Sequence, residues 1–280
     1  MRQDRIRLML KALSPVTHQR GSVGNESLVN TEQVQTPCGI VNVPVLSGNA
    51  LRKMVRIHAA HDLGWSDLTK REVALLYGGG NERSKGGQPS LQIRGDIAST
   101  FPALALLGCS TADDIIPGAM SADRGILVCR ENASRAQAMY PELQCDEWKS
   151  VGPASQFVGR WQYFRHDPLL SGVSGLHGES DYTGNSSMPF GGTCVIPGAI
   201  FLAEFRITFS TDVLAGCLLN AISMWQGSGG VLGGQGSRGH GRFACYVDST
   251  ANVESCVAAY VASREANRES CREIVRSIAS

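Results

Sequence analysis

No apolar run in this sequence approaches the ~18 residues that a membrane span requires. Its opening, MRQDRIRLML, interrupts its apolar residues with charge where a signal peptide keeps an unbroken core. The expectation is a cytoplasmic protein with no membrane partner. Cysteine pairs are also missing: the nine cysteines stand far apart, at 38, 109, 129, 145, 194, 217, 245, 256 and 271, and none forms Cys-x-x-Cys. Disulfide scaffolds and zinc ribbons need tighter spacing, so most of these read as small core residues in a reducing compartment. His58 and His61 are three apart, yet no acid or thiol stands near them to complete a metal site. No metal and no cofactor are expected. There is no Gly-x-Ser-x-Gly elbow around Ser228 or Ser237, no internal repeat, and no linker that splits the chain.

What is present in excess is glycine, 32 of 280 residues, above the usual ~7%. A chain this long buries a large core, and residues 1–280 read as one domain with insertions. The formal net charge is only +1, but it is unevenly placed. Through residue 56, eight Arg and Lys side chains stand against three acids, so this stretch carries +5 and the remainder −4. That asymmetry predicts a basic face, with a plain solvated surface as the alternative for Arg2, Arg5 and Arg7.

Periodicity predicts the elements. RIRLMLKAL (5–13) alternates like a half-buried strand, and 14–44 is a long polar, turn-rich connector. Residues 47–64 read as a helix capped by Ser47 or Asn49, 66–79 as a second helix, 79–90 as a loop and 99–109 as a short buried helix. Strands follow at 124–130 and 156–167, with a partly helical insertion between them. Residues 168–192 lack periodicity and form an excursion from the core. AIFLAEFRITFS (199–210) puts Phe201, Ala203, Phe205, Ile207 and Phe209 on one face of a strand. A helix capped by Asp212 spans 211–226, a strand 242–248, and one long helix 252–278, its Arg/Glu face turned to solvent. Strand, helix, strands, helix, strand is the order of an α+β, ferredoxin-like (RRM-like) βαββαβ fold.

Between the last two core elements lies GGVLGGQGSRGHGRF (229–243), with seven glycines beside Arg238, His240 and Arg242. GQGSRG (234–239) matches GxGxxG by letter. A dinucleotide site needs a strand before that motif and a helix after it, whereas here a helix precedes and a strand follows. A dinucleotide-dependent enzyme is therefore the distant alternative. The loop also lacks the Gly-Lys-Ser/Thr of a phosphate loop. Glycines let backbone approach a ligand and expose successive N–H groups to an anion, and repeated RNA phosphates suit so long a stretch.

Taken in order, VPVLSGNALRKMVR (43–56), IPGAIFLAEFRI (196–207) and the glycine stretch resemble the repeat-associated mysterious protein (RAMP) superfamily of CRISPR systems. The chain is similar to the backbone subunit that coats guide RNA in class 1 effector complexes. The family's helix opening, Pro-Gly-Ser-Ser-Leu-Arg/Lys-Gly, corresponds to Ser47-Gly48-Asn49-Ala50-Leu51-Arg52-Lys53, and QYFRHD (162–167) looks most like the type IV branch. The resemblance implies a ferredoxin-type palm with a finger region over 66–150 and a thumb-like hairpin over 168–192. It implies head-to-tail copies along the guide, with Leu169, Leu170, Met188 or Phe190 as a wedge that displaces a base. For those four, ordinary hairpin packing is the alternative. Partners would be guide RNA, target DNA or RNA through the guide, further copies, other effector subunits and a helicase.

RNA contacts are expected from His18, Gln19, Arg20 and Ser22 in the first loop, and from Ser47, Asn49, Arg52, Lys53 and Arg56 at the helix opening. Gln235, Gly236, Ser237, Arg238, Gly239 and His240 would serve from the glycine loop, with most weight on Arg52, Arg238 and the amides of 236–239. Arg160, Gln162, Arg165 and His166 would add contacts from the strand, or pair with acids instead. In cleaving family members an aspartate follows the first strand, and its place here falls at Asn30, whose amide neither takes a proton nor holds a metal as a carboxylate does. No catalytic residue is expected. A RAMP endoribonuclease is the alternative, with Glu26, Glu32 or His18 as its acid or base.

Overall fold

The computed structural model describes residues 2–24, 26–80, 91–111, 115–141, 151–165 and 188–279. In chain order these hold β1 (Gln3–Ala12), β2 (Gln19–Val23), β3 (Glu26–Val29), β4 (Thr31–Thr36), β5 (Gly39–Leu46) and α1 (Gly48–Asp62). Then come α2 (Lys70–Val73), α3 (Leu91–Thr100), α4 (Pro102–Leu107), β6 (Gly108–Ser110), β7 (Ile115–Pro117), β8 (Met120–Ala122), β9 (Gly125–Leu127) and α5 (Ala133–Met139). The last third supplies β10 (Val158–Arg165), β11 (Met188–Val195), β12 (Ile200–Thr208), α6 (Asp212–Gly227), β13 (Phe243–Ser249), α7 (Val253–Ala266) and α8 (Arg268–Ala279). The fold is mixed α+β, built on mainly antiparallel sheets.

The principal sheet has seven strands in the order β13-β1-β12-β9-β5-β4, with β8 also paired to β12. Its centre follows from alternation. β1 sends Ile6, Leu8 and Leu10 inward, and β12 answers with Phe201, Phe205 and Ile207, all six fully buried. Helices α1 and α6 cover that face through Leu51, Met54, Val55, Leu218, Ile222 and Trp225. Each such aliphatic or aromatic side chain contributes roughly 1.5–3 kcal/mol by leaving water. The other face is partly covered by α5, whose Ala136 packs with Tyr140, Ile126 and Leu202.

Several expectations are corrected here. The supposed connector 14–44 contains β2, β3, β4 and part of β5. β2 and β3 join β10 and β11 in a second sheet of order β10-β11-β3-β2. The helix at 211–226 is capped by Thr211, whose hydroxyl accepts the Leu214 N–H at 3.2 Å, while the Asp212 carboxylate takes Arg2. The helical turns of 66–79 begin at Lys70 and widen into a π turn over Ala74–Gly78. Phe209 leaves the strand face: it has φ 55° and is exposed. The long C-terminal helix breaks at Asn267 into α7 and α8. Its charged face is not plain solvent surface, because Arg264 pairs with Asp62 at 2.6 Å and buried Arg272 pairs with Asp67 at 3.1 Å.

Of the cysteines, 109, 129, 194, 217, 256 and 271 are buried and all eight described ones are free. His58 is bound to the Met54 carbonyl and the Ser228 hydroxyl, and His61 lies edge-on to Tyr77. No helix among the described residues is long and apolar enough to cross a membrane.

Candidate nucleic-acid interface

The glycine loop between α6 and β13 is a tied structure. The indole N–H of buried Trp225 donates to the Val231 carbonyl at 2.8 Å, anchoring the loop's start to α6. Leu232 donates to Gly241, Gly241 to Pro15, and Phe243 to Gly230, each at 2.8–2.9 Å. Two of the glycines are obligatory. Gly230 and Gly241 have φ of 61° and 75°, and a Cβ on either would stand 2.4 or 2.2 Å from a carbonyl oxygen. The tip, Gly236–Arg238, is a single 3₁₀ turn entered through Gln235 at φ 62°. Residues 236–239 are exposed, so the turn lies open to solvent.

The N–H groups of Arg238 and Gly239 are directed inward, to the carbonyls of Gln235 and Gly236. Among the four amides expected to meet an anion, this leaves Gly236 and Ser237 at the open start of the turn.

Residues 17 and 18 join three of the predicted segments. Buried Thr17 bonds to Gly234 twice: its hydroxyl donates to the Gly234 carbonyl at 2.6 Å and its carbonyl accepts the Gly234 N–H at 2.9 Å. On the next residue, His18 Nε2 accepts the Ser47 N–H at 3.0 Å. Ser47 in turn caps α1 by accepting the Ala50 N–H. First loop, helix opening and glycine loop therefore meet at one place. Around it Gln19, Arg20, Ser22, Asn49, Lys53 and Arg238 are exposed. Burial holds His18 below the usual histidine pKa, so it is neutral and carries its proton on Nδ1.

Arg52 and Arg56 share a face of α1, but that face points inward. The Arg52 guanidinium donates to the carbonyls of Met120 and Leu107, and Arg56 donates to those of Leu107 and Gly108. The Leu107 and Gly108 carbonyls end α4, where unpaired C=O groups attract a cation, and that of Met120 opens β8. Arg56 is buried, and desolvation followed by the Arg52 charge lowers its pKa from the usual arginine value. Both arginines are therefore structural ties. The basic face is correspondingly smaller than composition suggested. Arg2 pairs with Asp4 and Asp212, and Arg7 with Glu204, leaving Arg5, Lys11, Arg20 and Lys53 exposed. A polar cleft of about 540 Å³ between Arg5, Arg124, Arg135 and Arg206 is also largely neutralised, by Glu32, Asp123 and Glu204.

On β10, Arg160 pairs with Glu26, and Gln162 is exposed on the same face. The opposite face holds residues that sequence reasoning did not select. Trp161 and Tyr163 lie 4.6 Å apart by ring centroids, and both meet the His240 ring edge-on at 6.0 and 6.3 Å. The Arg238 guanidinium covers the Tyr163 ring at 4.0 Å. The available signal was the i, i+2 spacing of two aromatics, which places them together on a strand. Strand register puts Phe190 directly across from Tyr163, and Met188 across from Arg165. These two wedge candidates thus belong to β11, and Phe190 stands on the face of Tyr163. His166, Leu169, Leu170 and the thumb-like segment through residue 187 lie outside the described residues.

Asn30 follows β3. Its N–H donates to the His18 carbonyl at 2.6 Å and its side-chain amide donates to the Val45 carbonyl at 3.3 Å. Glu32 is held between Arg124 and Arg135.

No family model matches the sequence, and no curated protein does. The fold does have solved counterparts. A chain of a structure titled "Type IV-B CRISPR Complex" superposes with a TM-score of 0.57 at 17% identity, covering 89% of this chain and 92% of that one. Along nearly the whole of both chains, this protein is similar in fold to a subunit of that complex.

Proposed function

We propose that the chain is a non-cleaving backbone subunit of a type IV CRISPR ribonucleoprotein, binding guide RNA across a ferredoxin-like palm. Support for the palm comes from strand order: β13-β1-β12-β9, with α1 after β1 and α6 after β12, is the antiparallel 4-1-3-2 order of a βαββαβ unit. The single observation that carries the RNA reading is the double tie at residues 17 and 18. It brings the exposed glycine turn, the α1 opening and the exposed end of the first loop onto one surface. Backbone N–H groups and exposed cations on such a surface suit the phosphates of a single strand, while base pairing reads the sequence.

Copies arranged head to tail would coat a guide and present it to target DNA or RNA, in the company of other effector subunits and a helicase in the cytoplasm. The RAMP endoribonuclease reading has less support. The groups near Asn30 that would do acid–base work are engaged: Glu26 with Arg160, Glu32 with two arginines, and His18 Nε2 with the Ser47 amide.

The deciding experiment is to purify the protein from cells expressing its full complex, extract the nucleic acid and size both. A short RNA of uniform length in a large particle is the expected result. A monomer free of RNA that also fails to bind synthetic single-stranded RNA would overturn the proposal.

A further inference from the structure

Beside the glycine turn, three polar side-chain atoms are shut away from water with no hydrogen-bond partner among the described residues: Trp161 Nε1, Tyr163 Oη and His240 Nδ1. They belong to one cluster, since their rings touch one another. His240 is only 9% exposed. Buried polar groups are nearly always satisfied, and several orphans in contact mark a place where a partner is missing. The cluster offers flat ring faces and, at their edges, an indole donor, a hydroxyl that donates and accepts, and an imidazole nitrogen.

We infer that Trp161, Tyr163 and His240 form a receptor for one unstacked RNA base, which rests on the RNA-binding reading above and adds a base contact to it. A nucleobase has the matching chemistry: a π-face to stack on the rings and an edge of donors and acceptors. A phosphate can accept from the indole, phenol and imidazole donors, but it matches less well because it has no face to stack on the rings.

Arg238 is the cover. Its guanidinium lies on the Tyr163 ring, held laterally by one bond of 3.3 Å to Gln235 Oε1. The residue is exposed, so its side chain is able to swing outward. Swinging toward a phosphate of the bound strand uncovers the ring face, and the base of the neighbouring nucleotide takes its place. Cation and base then exchange partners at one position: Arg238 trades an aromatic ring for a phosphate, and the rings trade a guanidinium for a base.

The test couples base to pocket. A short single-stranded RNA that takes one chain is made in versions with one abasic site, moved along its length, and binding is measured against salt. The expected result is a loss of roughly tenfold at one position. The variant Trp161→Phe/Tyr163→Phe/His240→Phe should bind intact RNA more weakly by a similar factor, show no further loss at that abasic position, and keep the wild-type salt slope. Tyr163→Phe alone should lower affinity while leaving the melting temperature equal or higher, because it removes an unsatisfied buried hydroxyl; this single variant decides the matter if the triple variant does not fold. Equal affinity of the folded variants and wild type, or an abasic loss that persists in them, would overturn the receptor and leave RNA binding standing. Absence of RNA binding by the wild type would remove both.

Discussion

The Nε2 atom of His18 accepts the backbone N–H of Ser47 at 3.0 Å, fixing the end of the first loop to the start of α1. Only the neutral ring makes this bond. Burial places the folded pKa of His18 below its ordinary 6.5, and His240 is lowered too, by burial and then by the Arg238 charge. The unfolded chain therefore binds protons that the folded chain refuses. This contribution to stability is complete above about pH 6.5 and is lost as pH falls toward the folded values. Urea midpoints should drop between pH 7 and pH 5. His18→Gln, whose amide oxygen accepts the same N–H without titrating, should reduce that drop. Identical pH profiles for the two proteins would show that this bond is not the sensor.

Arg52 and Arg238 should separate stability from binding. Arg52→Ala leaves the Met120 carbonyl without its cation and the Leu107 carbonyl with Arg56 alone, a loss of about 1.5–3 kcal/mol for hydrogen bonds to a charged donor. The slope of log affinity against log salt should stay as in wild type. Arg238→Ala removes an exposed side chain, changing stability by less than about 1 kcal/mol, while the salt slope should fall by about 0.7 for one lost single-strand phosphate contact. Chemical denaturation and salt titrations on both variants check the pair. The reverse pattern would return Arg52 to the interface.

Two glycines of the loop should respond differently to the same added methyl. Gly239 and Gly241 both have positive φ, at 81° and 75°. A Cβ at 239 meets nothing within 4 Å, whereas one at 241 stands 2.2 Å from the Leu232 carbonyl oxygen. Gly239→Ala should cost only the left-handed backbone penalty, about 1–2 kcal/mol. Gly241→Ala must in addition push Leu232 away, disturbing its bond to Gly241 and the one from Gly241 to Pro15. Its melting temperature should fall clearly further. Equal losses would mean that the loop yields without resistance.

The centre of the principal sheet, β1 and β12, was legible because these strands obey a period of two against a single apolar core: Ile6, Leu8 and Leu10, then Phe201, Phe205 and Ile207, announce their own faces, whereas β4 and most of β5, toward its edge, lay hidden in the polar 14–44 stretch. The second sheet was not. β2, QRGSV, is exposed at every position, so it carries no hydrophobic pattern; it pairs in a hairpin with β3, and only β3 ties the two to distant β11. Arg52 and Arg56 were correctly placed on one helical face, but the direction of that face depends on where α4 ends, and backbone carbonyls leave no trace in side-chain chemistry. The glycine loop could be read since glycine density reports backbone geometry. Trp161 and Tyr163 are less conspicuous in the sequence because the polar Arg160 and Gln162 alternate with them and mark the opposite face of the strand.

Cleavage should be absent, and the reason is local. The position after β3 carries Asn30, whose amide donates to Val45, and an amide has no basic oxygen for a 2′-hydroxyl proton at neutral pH. Purified protein loaded with guide should leave complementary RNA intact in the presence of Mg²⁺. Asn30→Asp would place a carboxylate at the same point and lose the donor to Val45, a cost of about 1 kcal/mol. If the surrounding groups retain the geometry of a cutting relative, that variant should gain slow cleavage. Should the wild type cleave instead, with activity lost in Glu26→Ala or Glu32→Ala, one of those carboxylates must leave its arginine when target RNA binds. Glu32 is the harder to free: its side chain is 8% exposed and holds two arginines, whereas that of Glu26 is 50% exposed and holds Arg160 alone among the described pairs.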